Sequence, residues 1–423
     1  MAPRRALLAL AVAFLGLLAA VQPAIAQSAP VVTDGGVQNN FPGGMTFSVS
    51  AQSDSTVEKV RLRYEILPDG TAAIGQPDFV AGNTVSTTFR LGGGGDLYLP
   101  PGTRIEYYWE ATDADGDRAR TDTASFVYED VRFQWASAED RGVTIHYYSG
   151  SEDDARQMLS VAAERIASMS QLLGAHIDFP VNVWVYQSTE DMRPALFRRS
   201  ETYEQRITTA GVRVASDTVL VLGNVALDTL RHELTHVVTA VAGESAFGTL
   251  PAWLDEGTAV YGQTDPGDFR SALEEAVDRG NILSVRTITS YPGDPAKVEL
   301  FYGEGWSLVK YLVDTSGPEK FARLFAQIKS GKRIDGALQA VYGFDQDGLE
   351  DGWRASLGLP PRETPEPAPD EQPTDNANGS NNAPSASGDG GTSTLTIVAV
   401  ALSVLAVAGL VGFAGVTIAR RLR

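Results

Sequence analysis

The sequence predicts a multidomain chain: an all-β sandwich, then an α+β domain, a disordered stalk and a C-terminal transmembrane helix. Three observations predict it. Residues 31–130 alternate apolar and polar with period two. Beyond residue 131, apolar residues recur at helical spacing around His232-Glu233-Leu234-Thr235-His236. A charge-free apolar run, 395–418, stands just before Arg420, Arg421 and Arg423.

The chain has 423 residues, 43% of them hydrophobic, enough for two or three units with cores of their own. The formal charge is −19. Phosphate would be repelled, so nucleic acid is excluded as a general partner. There is no cysteine, so neither a disulfide nor a thiolate metal site is available.

Arg4 and Arg5 precede an apolar run, 6–21, and Ala24-Ile25-Ala26 has the small-x-small form of a cleavage site. Residues 1–26 are therefore expected to be a signal peptide. Between residues 31 and 130, Val60, Leu62, Tyr64 and Ile66 alternate with charged neighbours, as do Ile105, Tyr107, Trp109 and Ala111. That alternation describes half-buried antiparallel strands. Pro68-Asp69-Gly70, Pro100-Pro101-Gly102 and Asp115-Gly116 supply turns between them. In texture the segment resembles immunoglobulin-like and fibronectin-like modules. Asp113, Asp115 and Asp117 flank the last turn, but Arg118 and Ala124 occupy the places where a calcium loop of the EF-hand type needs Gly and Glu. A plain hairpin turn is the expectation there.

Residues 131–358 form the α+β domain. A helix is predicted over 152–173, strands over 181–186, 207–214 and 218–222, and helices over 226–241, 251–261, 269–279, 305–313, 318–328 and 336–341. Residues 359–392 are rich in Pro, Asn, Ser, Gly and acids and cannot bury apolar surface. They are the predicted stalk. Residues 393–419 are long enough to cross about 30 Å of hydrocarbon. The basic residues 420–423 place the C-terminus in the cytoplasm and the rest outside, as a single-pass protein of the cell membrane.

The chemistry is concentrated in one helix. His232 and His236, at i and i+4, share a helix face with Cβ atoms about 5–6 Å apart, so both rings can grip one zinc ion. Zinc takes imidazole and carboxylate ligands and, in catalytic sites, leaves a position open for water, whose pKa it lowers to about 7. Glu233 lies beside the first ring and is the expected general base. A second acid brought back by the following helix would complete the ligand set; Asp255 and Glu256 in Trp253-Leu254-Asp255-Glu256-Gly257 both qualify. These parts make a hydrolase acting on peptide bonds the leading expectation. His146 and His176 have no such company and are expected to be structural.

With that block, His232-Glu233-x-x-His236 resembles the gluzincin metallopeptidases, among them thermolysin, the aminopeptidase N group and the bacterial peptidase MA-like domains. The resemblance implies a zincin-like fold, one zinc ion and Glu256 as third ligand, in a block that differs from the aminopeptidase N form by Asp255 in place of Asn. The spacer from His236 to Glu256 is one residue longer than is usual, and Asp255 would satisfy the usual count. The resemblance also implies that strand 218–222 is the edge beside the site, and that a tyrosine or a histidine stabilises the oxyanion. Tyr302 is the candidate, with Tyr261 and Tyr291 behind it. The Gly-x-Met-Glu-Asn block by which aminopeptidase N enzymes hold a free amino terminus is absent, which favours an endopeptidase acting on polypeptides. Two other readings are a surface adhesion protein with a structural zinc, and a zinc amidase acting on cell-wall amides.

Overall fold

A computed structural model describes residues 29–93, 97–197, 211–223 and 227–362. The predicted signal peptide, transmembrane helix, basic tail and all but the first residues of the stalk lie outside the described residues. Among the described residues no helix is long and apolar enough to cross a membrane.

The N-terminal region is all β, built on one long strand. β1 (Val31–Asn39), β2 (Met45–Leu67), β3 (Thr71–Gly75), β4 (Gly82–Leu91), β5 (Thr103–Asp113), β6 (Arg118–Arg120) and β7 (Ala124–Tyr128) join in a single ladder. β2 pairs antiparallel with β1, β3, β4 and β5, and its register shifts between Gln52 and Val57. Two separate sheets were expected from the alternation; the hydrogen bonds instead link all seven strands, β1, β3, β4 and β5 on β2 and β6 and β7 on β5. The alternation itself is borne out: Ile105, Tyr107, Trp109 and Ala111 are buried and their neighbours are not. Between β5 and β6, Asp113 Oδ1 accepts from the N–H groups of Asp115 and Asp117, the local geometry of a turn.

The second region opens with a five-stranded sheet: β8 (Ala136–Asp140), β9 (Val143–Tyr147), β10 (Val181–Tyr186), β11 (Gly211–Arg213) and β12 (Thr218–Leu222), in the order β11-β12-β10-β9-β8. β9, β10 and β12 run parallel, with antiparallel strands at both edges. Residues of β12 are buried throughout because the sheet is covered on both faces. Val183, Val185, Val219 and Val221 pack with α1 (Glu152–Leu173) and α3 (Leu227–Gly243). Trp184, Tyr186, Leu220 and Leu222, one residue out of step, join Phe47, Leu62, Ile105 and Trp109 of the N-terminal region in one apolar core. Polar contacts follow the same seam. Tyr98 donates to the carbonyl of Ala195 at 2.6 Å, and Tyr186 to Asp130 Oδ2 at 3.0 Å.

Beyond a short α2 (Thr189–Met192), helices form the rest: α4 (Ala252–Tyr261), α5 (Asp268–Arg279), α6 (Val298–Ser316), α7 (Pro318–Lys329), α8 (Ile334–Tyr342) and α9 (Gln346–Ser356). Their core contains Trp253, Leu254, Phe301, Leu308, Phe325 and Trp353. α6 begins seven residues before the predicted start, because Gly303 and Gly305 are interior helix residues.

Candidate metal centre

Leu230, Leu234 and Val237 seat α3 on the sheet, while Val238 and Ala242 face the helical core. α4 follows and packs against α3 and α6. Its approach to α6 depends on two glycines. A Cβ on Gly257 would lie 2.2 Å from the carbonyl oxygen of Gly305, so the backbones meet where no side chain fits.

That approach delivers Glu256 to the two histidines. His232, His236 and Glu256 are all buried, and one candidate ligand atom from each lies within 4.8 Å of the others. Glu256 Oε2 is 3.1 Å from His232 Nε2 and 3.4 Å from His236 Nε2, and the two Nε2 atoms are 3.2 Å apart. Burial works against the ionised form of Glu256, but His236 and then His232 hold its carboxyl below the usual carboxylate range. Asp255 lies on the other side of His236, its Oδ1 3.1 Å from Nδ1. Of the two acids left open by the sequence, Glu256 therefore faces the three-atom cluster and Asp255 stands behind it.

The outer contacts are specific. Gln263 lies 3.0 Å from His232 Nδ1. Thr239 Oγ1 donates to Asp255 Oδ1 at 2.6 Å. The Tyr291 hydroxyl donates to Glu256 Oε1. Such partners fix the orientation of metal ligands. None of Gln263, Thr239 or Tyr291 is marked by a local motif; Gln263 follows Glu256 at helical spacing, two turns on, which is the only signal for it.

Glu233 is buried beside the cluster. Its Oε2 accepts from the Arg213 N–H at 3.1 Å, while Oε1 is buried with no hydrogen-bond partner among the described residues. Burial pushes its carboxyl up, against the pull of His232 and His236. An unpartnered buried oxygen beside two imidazoles and a carboxylate is what a centre holding a cation and a polarised water requires. Two imidazole nitrogens with one carboxylate oxygen are also the donor set of catalytic zinc. The residues fit the ion.

Edge strand β11, and not β12, supplies the backbone donor to Glu233. β12 is interior, flanked by β10 and β11, which corrects the expectation that 218–222 is the edge. Tyr302 is buried in α6, stacked on Phe269, its ring 6.1 Å from that of His232. Tyr291 is in direct hydrogen-bond contact with a member of the cluster. His146 is remote from these contacts; it stacks on Trp184 and pairs with Asn182.

Residues 161–358 match the family model of the Peptidase MA superfamily. This domain is a gluzincin-like zinc metallopeptidase. Among solved structures, an M1 zinc metallopeptidase from Deinococcus radiodurans aligns at 12% identity and a TM-score of 0.36, over 78% of this chain and 93% of the other. A variant of M1 zinc metallopeptidase from the same organism, bound to Tyr-Ser-Ala, aligns at 13% identity and 0.36, over 77% and 92%. No curated protein sequence matches the chain. The peptidase domain thus contains the buried cluster, its base candidate and the strand that holds that base.

Proposed function

We propose that the chain is a single-pass, membrane-anchored endopeptidase with its catalytic domain outside the cell, using one zinc ion held by His232, His236 and Glu256. The observation that carries the mechanism is the meeting of those three ligand atoms beside Glu233, whose Oε1 has no hydrogen-bond partner among the described residues. When bound, zinc acidifies water and polarises the scissile carbonyl. Glu233 takes a proton from the attacking water as its oxygen bonds to the carbonyl carbon. It then gives that proton to the amide nitrogen as the C–N bond breaks. The Arg213 N–H keeps Glu233 Oε2 engaged, which leaves Oε1 for the transfer. Tyr302 is assigned to the oxyanion by its resemblance to the family tyrosine. The apolar run before the terminal arginines supports anchoring. The missing amino-terminus recognition block supports internal cleavage.

Glu233→Gln is expected to keep zinc bound and to lose peptide turnover by a factor on the order of 10²–10⁴. Metal analysis beside a casein digest, with and without chelator, checks this; undiminished turnover in the variant would falsify the mechanism. Wild-type protein that binds zinc yet cleaves no peptide favours the adhesion reading, and cleavage confined to peptidoglycan fragments favours the amidase. Release of the ectodomain by protease treatment of intact cells tests the topology.

A further inference from the structure

A carboxylate can offer a metal one oxygen or two. With two imidazoles already present, a two-oxygen Glu256 would fill all four places of a tetrahedral zinc site and leave none for water. Glu256 is divided in this structure. Oε2 faces both Nε2 atoms, and Oε1 accepts the Tyr291 hydroxyl. Tyr291 is itself well anchored. Its ring packs on Phe301 of α6 with centroids 5.4 Å apart. The segment leading to it is pinned through backbone N–H groups: Leu283 donates to Glu304 at 2.7 Å and Val285 to Glu350 at 3.0 Å. Thr289 then donates to Gln346 at 2.9 Å.

We propose that Tyr291 is a positioning residue: by occupying Glu256 Oε1 it makes Glu256 a one-oxygen ligand and preserves the open place that the attacking water needs. This rests on the metal-site reading above. It gives Tyr291 a role distinct from contact with substrate, and it explains why a hydroxyl from a loop is directed at a buried acid.

The test uses the full-length protein carrying Tyr291→Phe, which removes one hydroxyl and keeps the ring against Phe301. Zinc affinity, read by chelator competition, is expected to fall about 10–100-fold, the usual cost of losing an outer partner. Cobalt loaded in place of zinc is expected to stay four-coordinate but to lose its water, so that the pH-dependent shift of its visible absorption seen in wild type disappears. In a Glu256→Ala background the same substitution should change metal affinity no further, since its effect passes through that carboxylate. Metal-free melting temperatures of wild type and Tyr291→Phe should agree, so that a folding defect is recognised. A cobalt spectrum and zinc affinity equal to wild type in Tyr291→Phe, whatever happens to turnover, would overturn the assignment alone. An equal loss of affinity in the Glu256→Ala background would do the same. Wild-type protein that takes up no cobalt would sink the metal reading, and this assignment with it.

Discussion

The two sides of the metal centre are built differently. On the sheet side, His232, Glu233 and His236 come from one helix, and Leu230, Leu234 and Val237 fasten that helix to β10 and β12. Their spacing alone aligns them. On the helical side, Glu256 and Tyr291 belong to a core in which Trp253, Leu254, Phe301 and Leu308 pack without any strand. Their placement depends on contacts between residues far apart in sequence. A local turn of helix therefore decides which residues take part, and a backbone approach between α4 and α6 decides whether the third one arrives.

Gly257→Ala should break that contrast most strongly. Its Cβ would sit 2.2 Å from one backbone atom of Gly305 and 2.3 Å from another, where no flexible side chain can yield. Separation of α4 from α6 is expected to cost about 3 kcal/mol or more, seen in thermal melts, and to weaken zinc binding as Glu256 withdraws. Gly211→Ala is the sheet-side counterpart. Its Cβ would meet Glu233 Cγ at 2.9 Å and Thr229 Cγ2 at 3.0 Å. Side chains can give way there, so about 1–2 kcal/mol is expected, with turnover reduced and zinc affinity kept. Loss of zinc in this variant would show that the two sides are not separable.

Glu304 sharpens the comparison through pH. It is buried in the helical core; Oε1 accepts from Leu283 and Oε2 has no hydrogen-bond partner among the described residues. Burial pushes its carboxyl up to about 8, from an ordinary 4.5. Between those values the folded chain binds the proton that the unfolded chain releases. The stabilisation is complete below about pH 4.5 and is lost as pH rises towards and through 8. Glu304→Gln should therefore match wild type near pH 5 and melt at a higher temperature than wild type at pH 9. Parallel pH curves for the two proteins would remove Glu304 as the cause.

Legibility in the sequence follows the same division. The helix carrying His232, Glu233 and His236 and the segment carrying Glu256 could be read directly, because spacing on a helix is a local property. The alternating texture of β2 and β5 was equally plain. Strand β11 falls within the predicted strand 207–214, but its place at the edge is a matter of pairing that no local pattern marks; β8 was missed because its residues, Ala-Ser-Ala-Glu-Asp, have no apolar face. The start of α6 was obscured by Gly303 and Gly305, which look like helix breakers. A Cβ on Gly303 would meet the carbonyl oxygen of Phe269 at 2.2 Å, so these glycines mark close packing and not the end of a helix. α9 was missed for a related reason, with Gly348 and Gly352 diluting the pattern of Leu349 and Trp353. Tyr291 meets its ligand only through tertiary structure, and no spacing rule marks such a meeting.

The alternation of β10 and β12 between two cores bears on how such chains can be recombined. Alternate side chains of those strands, including Trp184 and Tyr186, share one core with the N-terminal strands, and both aromatics meet Trp135 just beyond β7. A grafted module with another inner surface would leave those aromatics wet, so the N-terminal segment is not a portable cassette, and the catalytic part inherits its own lining from it.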